Sequence, residues 1–204
     1  MQRLVLDTEN PNYKELRALA QKINQGALVI FPTDSVYAIG CLMTNRKGIE
    51  KICKVTQKKE KQAKMSIICP NISTISQYTI QIENPIFREM KRLLPGPYTF
   101  ILNSNNYVQK YFKNNKEEIG VRIPENKIVS ALLEQLEAPL ISTSLNRIGN
   151  PDAYYIDPDK IFDDFQYEVD LLLDGGMGEE ELTTVLDCTD GDISVLRMGK
   201  GIYQ

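Results

Sequence analysis

The chain has 204 residues, of which 25% are charged and 42% hydrophobic, and a formal net charge of −3. This composition is that of a soluble globular protein, and the length suits one domain with a sizeable core. The sequence contains neither His nor Trp. The missing His excludes imidazole-based triads, general bases and metal sites, so catalysis must rest on carboxylates, Lys, Arg, hydroxyls, Cys or an oxygen-bound metal.

Charge is distributed unevenly along the chain. Residues 46–64 include eight Lys or Arg and two Glu, a local charge of +6, whereas residues 152–192 include fourteen Asp or Glu and one Lys, a local charge of −13. A basic segment in an acidic chain indicates a polyanionic ligand such as a nucleotide or RNA. Solvated faces of helices and loops are the alternative explanation, because charge runs are common on protein surfaces.

The four Cys are scattered, with no C-x-x-C pair, which argues against a zinc ribbon and against a thioredoxin-like motif. Reduced, buried thiols are the default in a cytosolic protein, so we expect a cytoplasmic location. The first residues form too short an apolar run for a signal peptide. No stretch approaches the roughly 20 apolar residues that span a bilayer, so we expect no membrane partner.

The predicted elements follow from the spacing of apolar residues. Residues 13–24 have apolar side chains at helical spacing, whereas 27–31 is a continuous apolar run, typical of a strand buried on both faces. In chain order the sequence predicts strand 4–6, helix 13–24, strand 27–31, helix 45–55, strand 65–69, helix 85–94, strands 98–102 and 120–123, helix 127–136, strand 140–143, helix 158–165 and strands 169–173, 184–187 and 193–197. This alternation predicts a single-domain α/β fold with a twisted mixed sheet and flanking helices.

Polar segments follow two of these strands. Segment 32–37, rich in hydroxyls and with one carboxylate, comes directly after strand 27–31, and ligands of α/β sheets bind at the carboxyl ends of strands. Segment 142–146 begins in the last two residues of strand 140–143 and continues beyond it. It offers hydroxyls and an amide, which can bind a carboxylate, a phosphate or a ribose without His or Cys. Polar turns and capped helix starts would explain both segments without a ligand.

Three further features carry charge or fix a turn. Alternation places Arg122 on the face of its strand opposite Val121 and Ile123, where a charge needs a carboxylate, a phosphate or a ligand as its partner. The basic segment 54–64 has no P-loop, so phosphate contacts there would come from side-chain ammonium groups. The Pro-Gly-Pro run at 95–97 indicates a rigid turn, which is mainly structural.

Taken together and in order, these motifs are more specific than any one of them. The chain resembles the YrdC-like family, which includes the threonylcarbamoyl-adenylate synthases, and it looks most similar to the YciO-type branch. The resemblance runs over 27–201, and we interpret residues 1–204 as one YrdC-like domain. The motifs that carry it are 32–37 (PTDSVY), 95–99 (PGPYT), 121–124 (VRIP), 142–146 (STSLN), 183–185 (TTV) and 196–199 (LRMG).

The resemblance implies both a fold and a reaction. The fold is a twisted sheet with a concave, positively charged face. The reaction condenses L-threonine, bicarbonate and ATP to threonylcarbamoyl-AMP and pyrophosphate, with Mg²⁺ beside the phosphates. Its product serves the threonylcarbamoyladenosine modification of tRNA, which implies partner proteins of that pathway. Such chemistry needs positioning and charge neutralisation rather than an imidazole.

The resemblance also implies the site residues. Lys58 and Arg122 would be catalytic. The residues implied to bind threonine are Thr33, Tyr37, Arg122, Ser142 and Thr183. The residues implied to bind the nucleotide are Lys58, Lys61, Ser144, Asn146 and Arg197.

Four motifs depart from the pattern of the synthases. The usual Lys-Pro-Leu reads KMS at 64–66, and the usual Ser-Thr pair reads TT at 183–184. Where the synthases have Lys-x-Arg, residues 56–58 read TQK, and a Lys cannot reproduce the bidentate fork of an Arg. The usual Ser-Ala-Asn reads SLN at 144–146, which predicts that the larger side chain of Leu145 enters the pocket wall. A paralogue that binds double-stranded RNA, tRNA or a nucleotide without this reaction is therefore a second hypothesis. An enzyme that acts on a different acyl or amine substrate is a third, because a fold does not fix a function.

Overall fold

The computed structural model describes residues 1–59, 64–112 and 117–204. Its strands are β1 (Gln2–Val5), β2 (Val29–Phe31), β3 (Ala38–Leu42), β4 (Ser66–Ile68), β5 (Tyr98–Asn103), β6 (Glu118–Arg122), β7 (Leu140–Ser144), β8 (Asn146–Arg147), β9 (Asn150–Tyr154), β10 (Leu171–Asp174), β11 (Thr184–Asp187) and β12 (Ser194–Arg197). Its helices are α1 (Tyr13–Asn24), α2 (Arg46–Val55), α3 (Ile72–Ile75), α4 (Asn84–Leu93), α5 (Asn106–Gln109), α6 (Lys127–Leu133) and α7 (Pro158–Phe165).

One large mixed sheet organises the described part of the chain. Its ten strands run in the order β1-β10-β2-β3-β7-β4-β6-β5-β11-β12, and β8 and β9 form a separate hairpin. Parallel pairing joins β10 to β1 and β2, β4 to β6, and β5 to β11. Antiparallel pairing joins the remaining neighbours in the sheet. The predicted single-domain α/β fold with a mixed sheet and flanking helices is thereby confirmed.

The sheet separates two hydrophobic clusters. Ile67 and Ile141 belong to one cluster, and their chain neighbours Ile68 and Leu140 belong to the other, because successive side chains of a strand point to opposite faces. Side chains of α2, α4 and α7 complete the first cluster. Side chains of α1 and α6 complete the second. The face that α1 and α6 cover near β2 and β10 continues across β7, β4 and β6, where it includes the small residues Ser142, Ser66 and Gly120.

Most helices begin at an Asn or Asp side chain that accepts hydrogen bonds from the first free backbone amides. Asn12 caps α1, Asn126 caps α6 and Asp157 caps α7. Asn45 caps α2 through the Gly48 amide at 3.0 Å. These residues are favoured caps because their short side chains satisfy donors that the helix itself cannot satisfy.

The structure departs from the predicted elements at a few places. The strand predicted at 193–197 exists as β12, but all four of its residues are exposed because it lies at the edge of the sheet. The helix predicted to reach 136 ends at Leu133. The sequence pattern missed β3, the β8–β9 hairpin and the four-residue helices α3 and α5. None of the described helices is long and apolar enough to cross a membrane.

Candidate functional site

A row of small residues crosses four neighbouring strands on the α1–α6 side of the sheet. Ser142 of β7 is paired with Gly40 of β3 on one side and with Ser66 of β4 on the other, and Ser66 is paired with Gly120 of β6. A Cβ atom on Gly120 would lie 2.5 Å from the Ser66 Oγ, and one on Gly40 would lie 2.8 Å from the Ile141 carbonyl oxygen. A residue larger than Gly would therefore be crowded at positions 40 and 120. The row forms a shallow floor beneath the site.

Hydroxyl groups line this floor. Ser66 and Ser144 are half-buried, and Ser142 is buried, all on the same face of the sheet. Within the described residues, no side-chain or backbone group forms a hydrogen bond with any of these three hydroxyls. Each hydroxyl can donate one hydrogen bond and accept others. The floor therefore offers unpaired donors and acceptors to a polar ligand.

The segment after β2 forms a chain of hydrogen bonds. Thr33 is buried, and its Oγ1 donates to the Val36 carbonyl oxygen at 2.8 Å. The same Oγ1 lies 3.1 Å from the Ser35 Oγ, which in turn accepts a hydrogen bond from the Arg122 Nη2 at 3.2 Å. The chain of hydroxyls fixes the loop against β6. It brings the predicted threonine-site residues Thr33 and Arg122 together through Ser35.

Tyr37 is fully buried behind this loop. Its hydroxyl donates to the Gly176 carbonyl oxygen at 2.8 Å and accepts from the Gly175 amide at 3.2 Å. Burial raises the pKa of the Tyr37 phenol to about 12. The Tyr37 hydroxyl thus holds the turn after β10, and its predicted contact with threonine stays a prediction.

Arg122 occupies the end of β6, on the face opposite Val121, as the alternation of the sequence predicts. Its Nη2 lies 2.6 Å from the Asp34 Oδ1, and the two side chains are only 8% and 7% exposed. Burial lowers the pKa of Arg122; Asp34 opposes that shift, and the positive charge of Arg197 adds to it. A buried Arg–Asp pair therefore stands next to a second cation.

That second cation, Arg197 of β12, belongs to a cluster with Thr183, which directly precedes β11, and Thr99 of β5. Arg197 Nη2 donates to the Thr183 carbonyl oxygen at 2.8 Å and to the Thr183 Oγ1 at 3.3 Å. The Thr183 Oγ1 also lies 2.8 Å from the Thr99 Oγ1. Burial lowers the pKa of the Arg197 guanidinium. The structure therefore joins Thr183, predicted to bind threonine, directly to Arg197, predicted to bind the nucleotide.

Lys58 forms a separate group at the end of α2. Its Nζ donates to the Asn146 Oδ1 at 2.7 Å and to the Thr143 Oγ1 at 3.4 Å. Burial lowers the pKa of the Lys58 ammonium. Two predicted nucleotide-binding residues, Lys58 and Asn146, thus meet directly. Thr143, which the sequence did not single out for a role, is the third member of the group.

The end of α2 explains how Lys58 reaches this position. Gln57 has a φ of 54°, in the left-handed region, and the Lys58 amide donates to the Cys53 carbonyl oxygen at 2.9 Å. This is the Schellman arrangement that ends many helices, usually with Gly at the left-handed residue. Thr56, which stands where the family has Lys, turns its hydroxyl back to the Ile52 carbonyl oxygen at 2.8 Å. Thr56 therefore caps its own helix instead of reaching a ligand.

The structure does not join all predicted site residues directly. Thr143, which meets Lys58, points to the face opposite its neighbours Ser142 and Ser144, so no described contact links the Lys58 group with the Arg122 group. Lys61 lies outside the described residues. Leu145 is fully buried in the core, so the expectation that it enters the pocket wall is wrong. Its backbone amide instead donates to the Tyr37 carbonyl oxygen at 2.9 Å.

The charges of the site are unequally compensated. Arg122 has Asp34 as its ion-pair partner. Among the residues that the structure describes, no carboxylate lies within salt-bridge distance of Lys58 or Arg197. Cations without a carboxylate partner favour an anionic ligand, and the preference is stronger where the cation is partly desolvated, as the half-buried Lys58 is. No group of three His, Cys, Asp or Glu in the described ranges could hold a metal ion.

Sequence reasoning missed Asp34, Ser66, Thr99 and Thr143. The need of Arg122 for a partner was foreseeable, and Asp34 belongs to a segment already singled out. Identifying Asp34, among all the acidic residues, as the partner of Arg122 required knowledge of the path of the loop after β2. Ser66 and Thr99 become visible only through the register of β4 with β6 and of β5 with β11.

Comparison with known proteins gives consistent matches. The sequence profile of the Sua5/YciO/YrdC family, described as telomere recombination, matches residues 21–199. The uncharacterised protein YciO of Escherichia coli K12 is 35% identical over 194 residues, covering 95% of this chain and 93% of that protein. The crystal structure of E. coli YciO matches with a TM-score of 0.90 over 98% of this chain and 97% of that one, at 34% identity.

A second solved structure is longer than this chain. Sua5 of P. abyssi, crystallised with L-threonine, matches with a TM-score of 0.88 over 98% of this chain. The match covers 58% of that protein, at 23% identity. The two proteins therefore share this fold over part of the length of Sua5.

Proposed function

Because the chain belongs to the Sua5/YciO/YrdC family, we propose that it acts in the cytoplasm as a threonylcarbamoyl-adenylate synthase, forming threonylcarbamoyl-AMP from L-threonine, bicarbonate and ATP. The observation that carries the proposal is the charge of the site. Lys58 is half-buried, Arg197 is partly desolvated although it lies on an exposed strand, and neither has a carboxylate within salt-bridge distance among the described residues. The floor of serine hydroxyls lies on the sheet face that also carries Arg122. The fold shared with threonine-bound Sua5 supports L-threonine as a ligand.

The proposed reaction suits a site without imidazole. The amine of threonine adds carbon dioxide derived from bicarbonate and loses a proton, giving a carbamate. A carbamate oxygen then attacks the α-phosphorus of ATP, and the bond to the leaving pyrophosphate breaks. Arg197 and Lys58 would neutralise the phosphates, which is the main contribution a protein makes to such a transfer.

Mg²⁺ would accompany the ATP. The described residues offer no cluster of three potential ligands, so no cage for the ion lies within those ranges. Mg²⁺ is commonly held by substrate phosphates and water with one or two carboxylates. The ion would supply charge neutralisation on the triphosphate, while Thr33, Ser142 and Thr183 would orient the amino acid. The product would pass to partner proteins that modify tRNA.

Pyrophosphate release tests the proposal. Purified protein is incubated with ATP, bicarbonate and Mg²⁺, with and without L-threonine. We expect release that depends on threonine, and a loss of about tenfold or more in Arg197→Gln, because a charge-assisted contact with the phosphates is removed. Arg17→Gln, an exposed change on α1, is the matched control. Folded protein without threonine-dependent release would refute the reaction.

A second function is favoured by one surface. Arg46, Lys47, Lys51 and Lys54 are all exposed on α2 and form a basic strip. Such a strip suits the phosphate backbone of RNA, whether tRNA or another double-stranded RNA. If RNA is the ligand, its affinity falls steeply with salt as phosphate contacts release counterions. The strip continues to the Lys58 group at the end of the same helix.

Charge reversal on the strip tests the RNA function. The double change Lys47→Glu and Lys51→Glu should weaken binding of a tRNA probe by about tenfold and flatten its salt dependence. Lys14→Glu, an equally exposed position on α1, is the control. Fluorescence anisotropy between about 50 and 200 mM salt measures both effects. Absence of binding at the lowest salt would leave the strip as a solvated helix face.

A further inference from the structure

Three tyrosine side chains and one lysine form a contiguous patch near the end of β5. Tyr107 belongs to α5, Tyr111 follows that helix, and Tyr78 lies in the segment after α3. The ring centroids of Tyr78 and Tyr107 are 5.9 Å apart, and those of Tyr107 and Tyr111 are 5.5 Å apart. The Lys110 Nζ lies 3.9 Å from the Tyr107 centroid and 5.0 Å from the Tyr111 centroid. These four residues are called the tyrosine patch below.

The sequence around α5 turns the rings outward. Val108 and Phe112 are four residues apart and are both buried in the core. Tyr107 and Tyr111 each precede one of these anchors, so they share the adjoining face of the helix. Tyr107 is 42% exposed, and Lys110 is also exposed. The apolar pair therefore fixes the segment to the core while the aromatic pair faces solvent.

One asparagine ties together the two segments that carry the rings. The Asn105 backbone amide donates to the Tyr78 carbonyl oxygen at 3.1 Å, and its Nδ2 donates to the Gln77 carbonyl oxygen at 2.8 Å. Its Oδ1 accepts from the Tyr107 amide at 3.1 Å. The rings are thus held by backbone contacts before any ligand arrives, and a preorganised surface pays less ordering cost on binding.

The chemistry of the patch suits a nucleotide. Aromatic rings stack on nucleobases of any sequence, and a neighbouring cation binds the phosphate that accompanies each base. Among the described residues no carboxylate lies within salt-bridge distance of Lys110. Its contact with the exposed Tyr107 ring is a weak interaction. The ammonium can therefore exchange this contact for a phosphate and leave the ring face to a base.

The tyrosine patch and the basic strip of α2 lie on the same face of the sheet. Ile52 of α2, Ile75 of α3 and Val108 of α5 all belong to one hydrophobic cluster. The three helices therefore cover one face, and their polar sides point to the solvent on that side of the molecule. An RNA that contacts the strip meets the patch without passing around the sheet.

The two surfaces also share one edge of the sheet. Lys58, just after α2, contacts Thr143 of β7. The register of β7, β4, β6 and β5 brings Ser144, where β7 ends, and Asn103, where β5 ends, to the same edge. Three strand spacings, roughly 14 Å in all, separate β7 from β5. A short stretch of RNA covers that distance.

We propose that the tyrosine patch is a stacking site for unpaired nucleotides of RNA, with a base on the Tyr107 ring and a phosphate at Lys110. The inference rests on the second function proposed above in taking RNA as the ligand. It deepens that function by naming unpaired nucleotides as the part of the RNA that this patch distinguishes from a duplex. It is independent of the synthase reaction.

The affinity for a single-stranded RNA of about ten nucleotides, compared with the duplex of the same sequence, tests the proposal. Tyr107→Leu keeps an apolar side chain and removes the aromatic face. Single-stranded RNA should then bind about tenfold more weakly, and the duplex should stay within about twofold of wild type. Tyr167→Leu is the matched control, because Tyr167 is 90% exposed and lies outside the patch. Fluorescence anisotropy at about 50 mM salt measures both affinities.

Two further variants separate stacking from charge. Tyr107→Phe keeps the ring and should bind single-stranded RNA within about twofold of wild type. Lys110→Gln should weaken binding and lower the salt slope by about one, whereas Tyr107→Leu should leave the slope unchanged. Equal single-strand affinity in Tyr107→Leu and Tyr167→Leu overturns the proposal. Equal losses for the single strand and the duplex also overturn it, because stacking needs an unpaired base.

Tyrosine fluorescence gives a direct reading of stacking. The chain has ten Tyr and no Trp, so a base stacked on the patch quenches tyrosine emission without a tryptophan background. Tyr107→Leu should lose part of this quenching. If the wild type neither binds single-stranded RNA nor shows quenching at the lowest salt, the proposal is overturned and a protein becomes the partner of the patch. Single-strand binding that depends on Tyr107 but not on Lys47 and Lys51 would refute the basic strip alone.

Discussion

The hydroxyl of Thr184 holds the chain at the edge of the site in place. It is fully buried, and its Oγ1 donates to the Gly201 carbonyl oxygen and accepts from the Gly199 amide at 2.9 Å. The segment after β12 is thereby tied to β11, directly beside Thr183. Its two hydrogen bonds hold the segment that follows Arg197 against the start of β11.

Thr184→Val removes both hydrogen bonds and keeps the shape of the side chain. We expect the free energy of unfolding to fall by about 1–3 kcal/mol, because the Gly199 amide and the Gly201 carbonyl lose their partner in a buried place. Urea denaturation measures the effect. Thr8→Val, at an exposed position, is the control and should change stability by less than about 0.5 kcal/mol. Equal effects of the two changes would contradict this account.

At the same scale, the residue types of the site were predictable but their partners were not. Apolar neighbours on both sides of Arg122 revealed that its charge needs compensation. The hydroxyls around Thr33 and Ser142 stood out because they follow apolar runs. The pairing of Asp34 with Arg122 and of Lys58 with Asn146 depends on residues 88 positions apart in each case. Such contacts are set by chain topology, which no local pattern contains.

Among the elements, α2 contributes to both candidate functions, because it carries the basic strip and its C-terminal end positions Lys58. Its first turn is held by Asn45, whose Oδ1 accepts from the Gly48 amide at 3.0 Å. The Asn45 Nδ2 also donates to the Gly26 carbonyl oxygen at 3.0 Å, in the turn between α1 and β2. Asn45 is therefore both a helix cap and a tertiary link.

Asn45→Ala should cost more stability than the removal of an ordinary cap. We expect a loss of about 2–3 kcal/mol, because the cap and the bond to Gly26 both disappear. Asn71→Ala is the matched control, since Asn71 caps only the four-residue helix α3 through the Thr74 amide. That change should cost about 1 kcal/mol. Thermal or urea unfolding that ranks Asn71→Ala as the more damaging change would refute the tertiary role of Asn45.

The predictability of the elements follows from how each is stabilised. β2 was predicted because the continuous apolar run 27–31 is typical of a strand buried on both faces. The sequence pattern missed β3, although it is fully buried, because it directly follows the polar segment 32–37 and owes its strand conformation to pairing with β2 and β7. The β8–β9 hairpin is half exposed and has no alternating apolar pattern. The hairpin is therefore defined by the pairing of its two strands and could not be recognised from the residue types.

At the scale of the whole molecule, stability at alkaline pH depends on buried Cys and Tyr side chains that are uncharged in the folded state. Burial raises the pKa of Cys41, Cys69 and Cys188 from 9.0 to about 12, and that of Tyr37 from 10.0 to about 12. The unfolded chain loses these protons at lower pH than the folded chain does. Stability contributed by these groups is thus present below about pH 9 and is lost as pH rises towards 12.

We therefore expect the urea midpoint to fall between pH 8.5 and 10.5, a window set by these raised pKa values. Cys69→Ala should show a shallower fall over this range than wild type, even if it is less stable at pH 8, because one of the titrating groups is gone. Val108→Ala, at a buried position without a titratable group, is the comparison and should keep the wild-type slope. A wild-type midpoint that does not change with pH would contradict the burial of these groups.

The position of Arg197 on β12 has a consequence for the dynamics of the chain. All four residues of β12 are exposed, and among the described strands β12 pairs with β11 alone. Edge strands with few buried contacts open locally at low free-energy cost. Each opening carries Arg197 away from Thr183 while the interior of the sheet stays closed. An anion bound to Arg197 would oppose that opening. Binding of the anion should therefore slow amide hydrogen exchange at residues 194–197 far more than in the central strands.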